Sequence, residues 1–157
     1  MINWPEKLSP ARASVHAANE IDIQATPEVV WAWLIRAKDW PSWYSNSHDV
    51  VIEGGTSELQ AGSKFRWKTF GVRLISKVEE FSPNQRLSWS AKGIGIEAYH
   101  AFVVEGRPDG CHVLTEETEK GWLASLGHTL RPKNLGDKHQ MWLDQLRAKA
   151  QGGPPPT

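Results

Sequence analysis

Residues 111–150 read CHVLTEETEKGWLASLGHTLRPKNLGDKHQMWLDQLRAKA, and the period of this stretch changes at Gly121. Before it, Val113, Thr115, Glu117 and Glu119 fall on one face of an extended segment. After it, Leu123, Leu126 and Leu130 are three and four residues apart. Beyond Pro132 the set Leu135, His139, Trp142, Leu143 and Leu146 continues the helical stripe. Pro132 disfavours helical backbone at Arg131, so a break is expected there. The later helix, about 132–150, would run roughly 27 Å at 1.5 Å per residue.

Upstream of the switch the chain reads almost wholly as strand. Val15, Ala17, Asn19, Ile21 and Ile23 alternate with polar or small residues, the mark of a half-buried strand. Thr26, Pro27 and Glu28 suit an N-cap, a first helical position and a first turn, and predict a short helix with Val30, Trp31 and Leu34 inside. A second cap-and-proline pattern at Asp39-Trp40-Pro41 predicts another. Strands follow near 48–53, 63–70, 72–81, 86–92, 96–106 and 111–119, separated by turn residues such as Gly54-Gly55, Gly71 and Arg107-Pro108-Asp109-Gly110. Short strands joined by tight turns make an antiparallel meander. One face of it needs cover, and the long amphipathic helix is the element able to supply it. The fold class is α+β: a curved antiparallel sheet of about six or seven strands around a C-terminal helix, with two short helices after the first strand. A single domain spans 1–157, with its core at about 13–150, an arm at 1–12 and a flexible tail at 151–157.

Composition narrows the functions. Eighteen Lys and Arg balance eighteen Asp and Glu, which argues against nucleic acid and against electrostatic attachment to anionic membranes. One cysteine, Cys111, allows no internal disulfide and suits a reducing compartment. No stretch approaches the roughly 20 apolar residues of a membrane span, so no stable membrane insertion is expected. The expected setting is the cytoplasm. Six histidines are scattered without metal-ligand spacing, there is no Gly-rich phosphate loop, and no nucleophile elbow occurs. Neither metal nor cofactor is expected. His139, on the helical stripe, reads as a core histidine.

Strand parity selects the candidate site. Ala98, His100, Phe102 and Val104 share a face that Phe102 and Val104 mark as inward, and Thr115 and Glu117 share the inward face of the next strand. A turn centred near residue 108 puts His100 opposite Glu116 or Glu117. A carboxylate beside a histidine can fix its tautomer and pass a proton, so His100 and Glu117 are the candidate catalytic pair. A bulge would exchange this set for His112, Leu114, Glu116 and Thr118. Nine tryptophans imply an interior wide enough for flat side chains or a flat ligand. The candidate ligand-binding residues are Trp67, Leu74, Ser76, Trp89, Phe102, Thr115 and Trp43. The Trp40-Pro41-Ser42-Trp43-Tyr44 segment either gates the mouth of the cavity or plugs its end.

Several segments resemble the START/SRPBCC superfamily, in particular its polyketide cyclase/dehydrase-like members. They are Ile21-Asp22-Ile23-Gln24-Ala25-Thr26-Pro27-Glu28-Val29-Val30-Trp31, Trp40-Pro41-Ser42-Trp43, Gly62-Ser63-Lys64-Phe65-Arg66-Trp67, Leu87-Ser88-Trp89, His100-Ala101-Phe102 and Thr115-Glu116-Glu117-Thr118-Glu119-Lys120-Gly121. The resemblance implies a helix-grip fold with a ligand cavity between sheet and helix. The iron motif of a dioxygenase catalytic subunit is missing. The expected function is binding of a small apolar or aromatic molecule. The alternatives are a cyclase, dehydratase or related lyase using His100 and Glu117, and a chaperone-associated or regulatory interaction domain. The last would need an exposed apolar patch, which the sequence does not show.

Overall fold

A computed structural model describes residues 1–157. Strand β1 (Val15–Ile23) leads into helix α1 (Pro27–Ile35) and a tight 3-10 turn over Ala37–Ser42. The meander follows: β2 (Ser47–Ile52), β3 (Lys64–Thr69), β4 (Val72–Ser82), β5 (Arg86–Gly93), β6 (Ile96–Arg107) and β7 (Gly110–Lys120). Helices α2 (Trp122–Leu130) and α3 (Asn134–Gln151) close the chain, with the expected break at Arg131–Lys133. All seven strands form one antiparallel sheet in the order β1-β7-β6-β5-β4-β3-β2. The first strand pairs with the last, which brings α1 next to α3 across the concave face. This is the helix-grip fold.

Helix α3 buries the stripe read from the sequence, Leu135, His139, Trp142, Leu143 and Leu146. Val30, Trp31 and Leu34 of α1 are likewise inside. Two bulges adjust the sheet. One lies between His48 and Val51, where Asp49 has φ 53°. The other lies between Val78 and Glu80, so β4 turns Phe81 to the side that Val78 occupies three residues earlier. Neither touches β6 or β7, and parity along the candidate site is preserved.

The interior is packed far more fully than the tryptophan count suggested. Trp40, Trp67, Trp89 and Trp142 touch one another in all six pairings, with ring centroids 5.1–6.2 Å apart. Trp40 comes from the 3-10 turn and is held in the centre by its indole N–H, which donates to Leu34 O at 3.0 Å. The segment around Trp40 is therefore a plug. It occupies the broad space that the sequence reading reserved for a ligand.

The ends of the chain are also tied down more firmly than expected. Ile2 and Leu8 of the arm pack on Tyr99 and Ala101, covering the outer face of β6. Thr118 Oγ1 donates to Leu8 O at 2.7 Å. Instead of fraying, the tail accepts a hydrogen bond from Trp33 Nε1 at Gly153 O (2.8 Å) and one from Arg36 at Pro156 O (2.5 Å).

Candidate functional site

The β6–β7 register pairs His100 directly with Glu117. Both side chains point inward, and His100 Nδ1 lies 3.0 Å from Glu117 Oε2. Helix α3 crosses above them and delivers His139, whose Nε2 is 2.9 Å from the same carboxylate oxygen. The two imidazoles stack with centroids 4.6 Å apart. All three side chains are nearly or wholly out of solvent, His139 at 1% and His100 at 2% exposure. Phe102 stacks on His100 at 4.8 Å, and Trp89 tilts against it at the same distance.

Thr115 holds the Nε2 side of His100. Its hydroxyl donates to Ala101 O at 3.3 Å and lies 2.7 Å from His100 Nε2. When the hydroxyl hydrogen goes to Ala101 O, the oxygen accepts from Nε2–H, and neutral His100 then turns an unprotonated Nδ1 toward Glu117. His139 has no such partner: neither of its ring nitrogens is hydrogen-bonded. The sequence reading of His139 as a satisfied core residue is corrected here.

Burial governs the charges. It pushes the Glu117 carboxyl up to about 8, and together with the Glu117 charge it does the same to Glu119. It brings His139 down to about 4 and His100 well below the ordinary imidazole value. Charged forms lose their hydration in this aromatic shell, so the group rests neutral near pH 7. The 2.9–3.0 Å contacts are thus contacts between neutral groups rather than ion pairs. Glu119, two residues along the same face of β7, lies within hydrogen-bonding reach of Glu117.

Beside these groups lies a cavity of only about 10 Å³, the room of a single water, lined in part by Trp67, Leu74, Trp89, His100, Glu117 and His139. Of the other expected ligand-binding residues, Phe102 and Thr115 touch His100. Ser76 accepts the indole N–H of Trp67 at 3.1 Å and does not line the cavity. Trp43 packs edge-on against Trp33 at 6.5 Å and does not reach the cavity. Phe70 is an unforeseen part of the wall. It and Gly71 both have positive φ, 51° and 73°, making the two-residue turn between β3 and β4. Asn46 Oδ1 accepts the Phe70 N–H at 3.1 Å and steadies this turn.

Phe70 also borders a second space. An open groove of about 310 Å³ runs between the turn, α2 and the start of α3, with Val72, Ile96, Leu123 and Leu135 in its walls and Glu119 at its inner side. Phe70 and the Glu117–Glu119 pair thus separate an outer apolar groove from the buried histidines. A different feature occupies the outer face of the sheet. Val51, Ile75 and Ile94 are exposed there beside Arg66, Lys68, Arg73 and Lys92. These exposed apolar side chains are interleaved with cations rather than forming a purely apolar patch.

The family model for "polyketide cyclase / dehydrase and lipid transport" matches residues 14–151, nearly the whole of this sheet-and-helix unit. The chain belongs to that family. A hypothetical protein of Helicobacter pylori has the same fold with a TM-score of 0.88, 28% identity and 96% of each chain covered. The di-domain ARO/CYC protein StfQ of the steffimycin biosynthetic pathway superposes with a TM-score of 0.72 at 12% identity, over 88% of this chain and 51% of that one. A START superfamily protein of Mycobacterium smegmatis gives 0.70 at 14% identity, over 87% and 97%. The last two likenesses are of fold. No curated protein matches the sequence. For this polyketide cyclase/dehydrase-family chain no helix is long and apolar enough to cross a membrane.

His139, Glu119 and Phe70 are the residues that sequence reasoning passed over. Glu119 carried a signal, since it shares its strand face with Glu117. His139 also lay on the stripe that had to meet the sheet. What the spacing lacked was the point at which α3 crosses β7.

Proposed function

We propose that this protein binds one small, mainly apolar molecule, with the apolar body in the groove beside α2 and a polar end reaching Glu119. The observation that carries this reading is the groove itself. At about 310 Å³ it is at the lower end of the size of small-molecule sites, it has apolar walls, and it ends on the half-buried carboxyl of Glu119. Such a wall with a few convergent polar groups favours a hydroxyl- or carbonyl-bearing ligand. Membership of a family described by cyclase, dehydrase and lipid-transport activities supports the same class of ligand. The site differs from the wholly internal cavity expected from sequence, because the tryptophans fill that volume.

The test uses Gly127, which lines the groove and whose Cβ would meet nothing within 4 Å. Gly127→Trp should occupy the groove without disturbing the backbone. An apolar fluorescent probe such as anilinonaphthalene sulfonate should bind the parent protein saturably with one-to-one stoichiometry. The substitution should weaken binding at least tenfold at unchanged thermal stability. Equal binding by both proteins overturns the groove as the site.

A second reading, proton-transfer catalysis of the cyclase or dehydratase kind, has its own observation. A neutral imidazole with an unprotonated Nδ1 stands 3.0 Å from a carboxyl that holds its proton to about pH 8. Removing either group should then lower turnover by about 10²–10⁴-fold. Turnover of candidate polyketide-like substrates that survives both His100→Gln and Glu117→Gln excludes this pair from the chemistry.

A further inference from the structure

Three elements that are distant in sequence bring nitrogen and oxygen donors to one point. We propose that His100, Glu117 and His139 form a site for one divalent transition-metal ion of the zinc and cobalt class. The donor atoms of the three side chains all lie within 4.8 Å of one another. Two edges of the group, 3.0 Å from Glu117 Oε2 to His100 Nδ1 and 2.9 Å to His139 Nε2, are short. Donors held at about 2.1 Å from one ion, at the 90–109° angles of octahedral and tetrahedral sites, stand about 3.0–3.4 Å apart. The third edge, between the two imidazole donors, is bounded only at 4.8 Å, so the rings would have to close around the ion to reach that shape.

Two further observations point the same way. His139 is 1% exposed, yet both of its ring nitrogens lack hydrogen-bond partners, although Nε2 is 2.9 Å from a carboxylate oxygen. A buried polar atom of this kind ordinarily finds a partner, and the contact is close without being a hydrogen bond. A lone pair aimed at a shared ion accounts for both facts. Thr115, in turn, holds His100 by Nε2 and leaves Nδ1 free to ligate, the arrangement by which outer groups orient metal-binding imidazoles.

The donor set selects among ions. Two imidazoles and one carboxylate suit zinc, cobalt, nickel or ferrous iron rather than magnesium or calcium, which favour oxygen alone. Glu117 with Glu119 beside it supplies two carboxyls to balance a doubly charged ion within an aromatic shell. The water-sized cavity beside the three donors suits a fourth, non-protein ligand. This site stands whether or not the outer groove takes a molecule.

Elsewhere His112 lies near Asp22 at 2.8 Å and Glu20 at 3.5 Å, but both carboxylates are about 70% exposed and His112 already has a hydrogen-bond partner. That surface group serves as the control.

The experiment takes tag-free, chelator-treated protein and loads it with Co²⁺ or Zn²⁺, both by incubation and by refolding in their presence, since the site is closed. Elemental analysis should find about one ion per chain, and Co²⁺ should give visible d–d absorption of an imidazole-ligated ion. Glu117→Gln and His139→Gln should each weaken binding at least 100-fold, with circular dichroism confirming the fold. Thr115→Val should weaken it by about 10–100-fold. His112→Gln should leave it unchanged. Three results overturn the site: no stoichiometric binding by either route, loss of binding in the His112 variant, or full binding by folded Glu117→Gln protein.

Discussion

Replacing Glu117 by Gln in metal-free protein tests the electrostatics of the interior directly. The unfolded chain ionises this carboxyl near 4.5, whereas burial makes the folded chain keep the proton to about 8. Stability contributed by the group is complete below pH 4.5 and is lost as pH rises through 8. His139 has the opposite sign. Its imidazole falls from 6.5 to about 4 on burial, so its contribution is complete above pH 6.5 and is lost as pH falls through 4. Between pH 6.5 and 8 the histidine slope is gone and the carboxyls act alone. Each proton held by the folded chain and released by the unfolded one costs about 1.4 kcal/mol per pH unit. Over that window one such proton amounts to about 2 kcal/mol. Glu117→Gln removes it while keeping the side-chain volume, and by relieving the repulsion that helps raise Glu119 it changes the slope in the same direction. The stability of the variant relative to the parent should therefore rise by about 2 kcal/mol between pH 6.5 and 8. That corresponds to roughly 4–8 °C in Tm for a chain of this size. Urea unfolding at a series of pH values, with a chelator present, measures it. A constant offset between the two proteins is expected from the changed hydrogen bonding and decides nothing. Parallel curves across the window would refute the reasoning, because they would mean that Glu117 is ionised in the folded state.

Three further expectations concern packing and reactivity. Trp142 stacks on Tyr44 at 4.4 Å and touches the other three central tryptophans, so Trp142→Ala should cost about 3–5 kcal/mol in chemical unfolding, and a loss under about 1 kcal/mol would contradict the packed interior. Gly110 has φ 146°, and a Cβ there would come within 2.1 Å of Ile23 O, so Gly110→Ala should cost about 2–3 kcal/mol by parting β7 from β1; a neutral result would show that the turn can move. Cys111 is buried and its thiol is pushed up to about 11, mainly by burial, so a disulfide reagent should label it at pH 7.5 only after unfolding, and rapid labelling of the native protein would place the thiol at the surface.

The local pattern of the sequence was enough to define every element that frames the interior. Period two set the inward face of β6 and β7, and the short Arg107–Gly110 turn put His100 opposite Glu116 or Glu117, of which the register chose Glu117. Period 3.6 set the inward stripe of α3, and Pro132 set the break before it. These properties belong to a strand, a turn or a helix taken alone, where backbone geometry fixes which side chains share a face. The tertiary structure decided what those faces meet. Trp40 sits on a six-residue 3-10 segment too short to show a period, yet it enters the centre and fills the expected cavity. His139 and Glu117 are 22 residues apart in chain order and belong to different elements, so no spacing motif joins them. The irregular arm likewise gave no pattern, although Ile2 and Leu8 cover β6. Helix crossing and side-chain volume act between elements that the sequence lists separately. For that reason the inward faces were legible from the chain, while the plugged interior and the His100–Glu117–His139 cluster exist only in the folded molecule.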